Sequence, residues 1–212
     1  MPPKPTFTKD EVVNAALGIV RAQGEAALTA RALAEALGSS ARPIFTLFSG
    51  MEEVKEALYE PAFDAFYRYC DGFKDFIPRF KKLGVTLVSF ATSEPHLFEF
   101  LFIGRRSQTR TLDEWCSSRI ADEAIRVVEE DYGLDHEVAV AFFKEMWIHV
   151  FALCVLKVTN AAELTDAQVS DSLSRAFLGL LALARSGHLN DEGVRPVVAG
   201  HAAAPDVSPP EF

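Results

Sequence analysis

The sequence predicts an all-α protein: an N-terminal three-helix helix-turn-helix domain, residues 1–49, joins a larger helical domain, 50–186, followed by a flexible tail, 187–212. Three observations lead there. Four Ser/Thr-x-x-Glu/Gln boxes stand just ahead of apolar-periodic segments: Thr8/Glu11, Ser49/Glu52, Thr111/Glu114 and Thr165/Gln168. Such a box satisfies two orphan backbone donors at a helix start. Between the boxes, apolar residues recur at three- and four-residue spacing, and no alternating run reads as a strand. Beyond Gly187 the chain turns to Gly, Pro and Ala and ends AAAPDVSPPEF, a composition that cannot bury enough to order itself.

The elements follow in order. After the Thr8 box, Val13, Ala16, Leu17 and Val20 share one face of a first helix, which Gly24 stops. Thr29 caps a short second helix, stapled by Leu28 and Leu33 and ended by Gly38. A third runs from about Ser40 to Leu47, and a fourth from Ser49 to about Asp71 with a kink expected at Pro61. The fifth spans Pro78 to about Thr92. The sixth starts at Ser93 and Pro95 and carries Leu97, Phe98, Leu101 and Phe102. A seventh, from Thr111, turns Leu112, Cys116, Ile120, Ala124 and Val127 inward. Asp135 caps an eighth that is apolar nearly all round and so needs cover on more than one side. The ninth, from Asp166 to Arg185, has a cleaner stripe of Val169, Leu173, Ala176, Phe177, Leu180 and Ala184.

Charge and cysteine usage narrow the function classes. The net charge is −9, but residues 1–49 are nearly neutral, with Lys4, Lys9, Arg21, Arg31 and Arg42 against Asp10, Glu11, Glu25 and Glu35. The acidity therefore lies in the larger domain, and a local basic patch on the head is compatible with the total. Cys70, Cys116 and Cys154 form no Cys-x-x-Cys pair and suit buried thiols in a reducing cytoplasm. The longest apolar run, Val150 to Leu156, falls far short of the roughly 20 residues of a membrane span, so no membrane is expected.

A short helix, a break at Gly38 and a second short helix make a helix-turn-helix, whose second helix is presented to the major groove of DNA. With Ser39 or Ser40 as N-cap, Pro43 lies in the first turn, where its missing N–H loses no intrahelical acceptor. Ser40, Ala41 and Arg42 then form the tip. Ile44, Phe45 and Phe48 pin the helix inward, while Arg42, Pro43 and Thr46 point out.

The stretch LTARALAEALGSSARPIFTLFSGMEEV resembles the TetR/AcrR family of transcriptional repressors. The likeness runs from Phe7 to about Leu58 and rests on Thr29, Leu33, Ala34, Gly38, Ser40, Ile44, Phe45, Phe48, Glu52 and Glu53; EPHLFEFLF, from Glu94, is similar to a later helix of many such proteins. The resemblance implies a homodimer on a palindromic double-stranded operator, released by a small molecule bound in the larger domain. The DNA-facing candidates are then Thr29, Arg31, Ser39, Ser40, Ala41, Arg42, Pro43, Phe45 and Thr46. Three positions depart from the pattern: Phe45 where a Tyr hydroxyl often reaches phosphate, Leu47 where His or Tyr is common, and Met51 where Lys is usual. Lost backbone contacts weaken binding.

Twelve of the seventeen Phe lie between the fourth and eighth helices, where this family has its pocket. A hydrophobic effector among Phe63, Phe66, Phe98, Phe102, Trp115, Phe143, Trp147 and Phe151 is expected. Val150, Cys154, Leu173, Phe177, Leu180 and Ala184, on the last two helices, are the dimerisation candidates. Glu145 and His149 share a face but lack a third ligand, so no metal or cofactor is expected. Arg105 and Arg106 fall in an expected loop. No nucleophile, base and orienting acid come together, which argues against an enzyme. The competing reading is a similar helical dimer that binds ligand or protein and has lost sequence-specific DNA binding.

Overall fold

The structure is a computed structural model describing residues 7–73, 78–104, 111–116 and 118–189, with no side-chain account of Trp115 and Cys116. Among these residues it is all helical, with no strand. The helices are α1 Lys9–Gln23, α2 Ala30–Ala36, α3 Ile44–Leu47, α4 Met51–Asp71, α5 Arg79–Ser93, α6 Pro95–Phe98, α7 Leu112–Cys116, α8 Arg119–Tyr132, α9 His136–Val158 and α10 Asp166–Arg185. A 3₁₀ turn, Glu25–Ala27, follows α1, and a π turn, Glu99–Ile103, continues α6. Lys4, Arg105, Arg106 and the tail from residue 190 lie outside the described residues.

The boxes at Thr8 and Thr165 close in both directions and start α1 and α10 where the sequence places them. The Thr111 box also closes, but α7 is only five residues long. The single seventh helix expected from Thr111 is two helices, because the Ser118 hydroxyl accepts from the Ala121 N–H at 3.2 Å and starts α8 afresh. The pair expected as the eighth and ninth helices is therefore α9 and α10. At Ser49 the register differs by one residue. Glu53, rather than Glu52, accepts the Ser49 N–H, at 2.6 Å, and α4 starts at Met51. Asp135 stands at the N-cap of α9 without a side-chain bond. Pro61 lies inside an unbroken α4.

Helix α5 is the centre of the body, packing on α9, α4, α8 and α10. Gly84 allows the close approach: a Cβ there would sit 3.2 Å from Leu173 Cδ1 on α10 and 3.3 Å from Val150 Cγ2 on α9. Helix α9 is long and apolar enough to cross a membrane by length and composition alone. Its Ala139, Phe142, Phe143, Met146, Val150, Leu153 and Cys154 are instead buried in the protein core, as expected of a helix covered on several sides.

The head meets the body through α1, which packs on α4 and α6. The Arg21 guanidinium grips Glu94 with both oxygens, its Nε–Oε2 bond being 2.8 Å, and this partnership raises the Arg21 pKa further. Lys55 on α4 pairs with Glu25 at 3.2 Å. Between these links Gly24, at φ +84°, lies against the His96 ring, where a Cβ would come 3.3 Å from Nδ1.

Candidate DNA-facing and effector sites

The head is built from the turn outward. The Thr29 hydroxyl accepts from the Ala32 N–H at 3.1 Å and starts α2. At the other end Gly38 adopts φ +63°, the left-handed region in which glycine is unstrained. This lets the Gly38 and Ser39 N–H groups donate back to Glu35 O at 3.0 Å and Ala34 O at 2.9 Å, the paired bonds of a Schellman motif. The chain is thereby turned toward α3.

Helix α3 is shorter than expected. It runs from Ile44 to Leu47 with Pro43 at its N-cap, and neither Ser39 nor Ser40 caps it. Proline has no N–H to offer and disfavours helical conformation in the residue before it, so Ser40, Ala41 and Arg42 form a turn ahead of the helix. Ile44 and Phe48 are buried and pin it. Phe45, expected to help, is 44% exposed. The Thr46 hydroxyl donates to Pro43 O at 2.6 Å. Of the DNA-facing candidates, Thr29, Arg31, Ser40, Arg42, Phe45 and Thr46 are exposed, and Ser39, Ala41 and Pro43 half-buried.

The cations of the head divide into two groups. Lys9 pairs with Glu53 at 3.2 Å and sits over the Phe48 ring, and Arg21 is held by Glu94. Arg31 and Arg42 make no ion pair among the described residues. Met51, at the start of α4, is half-buried against the core. Glu53 accepts from Ser49 and Lys9, and the Ser49 N–H above all holds its carboxyl down to about 2.

In the body, a cavity of about 340 Å³ lies among α4, α5, α8, α9 and α10. Of the ligand candidates, Phe66, Phe143 and Trp147 line it. Phe63, Phe98, Phe102 and Phe151 do not. They pack on one another, with the centroids of the tilted pairs Phe98–Phe102 and Phe98–Phe151 5.1 Å and 6.1 Å apart, and Phe98 and Phe102 are buried core. The Trp115 side chain lies outside the described residues.

Several lining residues were absent from the sequence expectation: Tyr67, Phe80, Lys81, Lys82, Thr86, Arg119 and Tyr132. The available signal was a Lys and a Thr four residues apart, Lys82 and Thr86, inside an otherwise apolar stretch of α5. Cys70 also lines the cavity, and burial pushes its thiol up to about 12, so it remains protonated at neutral pH.

The dimerisation candidates are placed mostly inward. Val150, Cys154, Leu173 and Ala184 are buried within the subunit; Phe177 packs on Phe80, Tyr132 and Phe142, and Leu180 is half-buried. The stripe that reads as an interface from periodicity is the side by which α9 and α10 hold the body together. Outward on the same helices stand Ile148, 46% exposed, Leu178, 63% exposed, and Leu183. His149 Nε2 lies 3.1 Å from Ser172 Oγ, across the two helices. Among the described residues no group of three His, Cys, Asp or Glu side chains is placed to hold a metal ion.

A three-helix head with a helix-turn-helix, set on a helical body with a cavity among its helices, makes a TetR-like fold. A solved structure of a TetR family transcriptional regulator from Vibrio parahaemolyticus superposes with a TM-score of 0.50 and 17% sequence identity, over 82% of this chain and 96% of that one. No family model and no curated protein matches the chain.

Proposed function

We propose that this chain is a ligand-responsive, DNA-binding transcriptional regulator, a repressor that binds a palindromic operator as a homodimer and is released by a small hydrophobic molecule. The observation that carries the reading is the division of cations on the head. Arg31 and Arg42, exposed on the helix-turn-helix, have no carboxylate partner among the described residues, whereas Lys9 and Arg21 are used within the protein. A helix-turn-helix reads DNA with free side chains at this place.

The body supplies the rest. Helix α4 begins directly beyond the reading helix and ends at the cavity, to which it contributes Phe66, Tyr67, Cys70 and Asp71. At about 1.5 Å per residue its 21 residues form a rod of about 30 Å. An effector that moves its far end tilts the head. The outward apolar residues Ile148, Leu178 and Leu183 suit an isologous contact with a second copy, giving two reading heads for two half-sites.

Selection from random duplexes, followed by anisotropy titration at several salt concentrations, tests the function. Enrichment of an inverted repeat bound by a dimer is the expected result. Failure to enrich any repeat favours the second reading, a helical ligand-binding dimer without sequence-specific DNA binding. Phe45, Leu47 and Met51 favour that alternative, because each puts an apolar side chain where the family offers a polar contact to the DNA backbone.

A further inference from the structure

The cavity has an apolar wall and an incompletely bonded polar one. Thr86 is only 2% exposed, and its hydroxyl has no hydrogen-bond partner among the described residues. Helical hydroxyls usually have a local alternative, the carbonyl one turn back. Thr92, Thr159 and Ser174 all use it, at 2.7 to 2.8 Å. Thr86 does not, and a buried hydroxyl left unpaired is costly.

One turn earlier on the same face, Lys82 also lines the cavity. Its side chain is 14% exposed, and its ammonium makes no hydrogen bond among the described residues; the nearby carboxylate is that of Glu123, at 3.7 Å. A shielded ammonium whose one carboxylate partner lies beyond hydrogen-bond range keeps donor capacity to spare. Lys81, beside it, reaches only the neutral Ser170 and Ser174 hydroxyls, at 2.8 and 3.3 Å. At the rim, Arg119 stands near Asp71 and over the Tyr67 ring. Arg119 is opposed by Asp71 and Lys82 by Glu123, so Lys81 is the lining cation without a carboxylate, and an acid seated beside Lys82 enters a lining with one positive charge in excess.

We infer that the cavity takes an amphipathic carboxylic acid, its carboxylate accepting from the Lys82 ammonium and the Thr86 hydroxyl and its apolar body lying against Phe66, Phe80, Phe143 and Trp147. The inference rests on reading the cavity as the effector site, and it names the head group that an apolar wall alone leaves open. A carboxylate has acceptor capacity for both donors at once, and an alcohol of the same skeleton offers no charge to Lys82.

Calorimetric titration with two matched pairs tests this: decanoate against 1-decanol, and 1-naphthaleneacetate against 2-(1-naphthyl)ethanol. In at least one pair the acid binds the wild-type protein more tightly, by roughly ten- to hundredfold, the range of a hydrogen bond to a charged group. Lys82→Met removes that preference while the alcohol changes by less than about threefold. Thr86→Val, nearly the same shape, weakens the acid without unfolding the helix. Equal or weaker binding of both acids overturns the carboxylate assignment and leaves the effector cavity standing. An acid preference that survives Lys82→Met overturns it as well. If none of the four compounds binds, the effector reading of the cavity falls with it. The wild-type comparison stands whether or not the variants fold.

Discussion

Gly84 sets two opposing effects against each other, and Gly84→Ala measures which prevails. In a helix interior, alanine in place of glycine stabilises by about 1 kcal/mol. Against this, the new methyl would lie 3.2 and 3.3 Å from the two Cδ atoms of Leu173 and 3.3 Å from Val150 Cγ2, so both neighbours must yield by a few tenths of an ångström. Overpacking a filled core costs about 1 to 3 kcal/mol. Leu173 and Val150 also line the cavity, so they have empty space to move into, and the lower end of that range applies. The expected net change is within about 1 kcal/mol of zero, a Tm shift of no more than about 4 °C for a chain of this size. The cavity shrinks by the same movement. The acid that binds best in the titrations above should therefore lose roughly tenfold or more in affinity, the effect of about one methylene in a filled pocket. Denaturant unfolding and calorimetry on the same variant give the two numbers. A loss of more than about 2 kcal/mol in stability would show that Leu173 and Val150 cannot yield. Unchanged affinity would show that the ligand does not occupy the α5 side of the cavity.

Arg42→Ala should cost about 1 to 3 kcal/mol on the selected operator and little on random DNA, read by anisotropy; equal losses on both would make Arg42 a phosphate contact. Ile148→Glu with Leu183→Glu should give a folded monomer in sedimentation equilibrium, because both side chains are exposed in the subunit. A dimer that persists would place the interface elsewhere. Glu53 has its carboxyl held down to about 2, below its ordinary 4.5, so its stabilising contribution is full above the ordinary value and is lost as pH falls toward 2. Glu53→Gln should accordingly melt earlier than wild type at pH 7, with the gap closing between pH 4.5 and about 2; a gap independent of pH would mean that the Ser49 bond does not depend on charge.

Helix number and order were largely legible because the start signals are local. Thr8 and Thr165 fix α1 and α10 with bonds that reach only three residues. The failures occur where two local signals compete. Ser118 interrupts the helix begun by Thr111, Pro43 shortens the one expected from Ser40, and adjacent acids leave Glu52 or Glu53 able to serve Ser49. The cavity was legible only in part, for a different reason. Periodicity puts aromatic rings inside without telling a ring that packs on another ring, such as Phe98, from one that borders empty space, such as Phe143. Lys82 and Thr86 were missed because their role depends on what α8, α9 and α10 leave uncovered. The same limit applies to the last two helices. Their stripe of Leu173, Phe177 and Ala184 is as apolar as an interface, but α5 and α9 cover much of it within one subunit.

The cavity also has a bearing on the protein's lifetime. A cavity of about 340 Å³ leaves its mostly apolar lining short of packing partners that a bound molecule would supply. Any molecule that enters adds stability by mass action, in proportion to the logarithm of its concentration over its Kd. Cellular proteases remove unfolded chains, and a change of 1 to 2 kcal/mol alters steady-state abundance about several-fold. Under the proposed function, occupancy would thus set how many copies persist as well as what shape they take. A cell rich in the ligand would accumulate the protein, and a cell depleted of it would clear the stock by turnover.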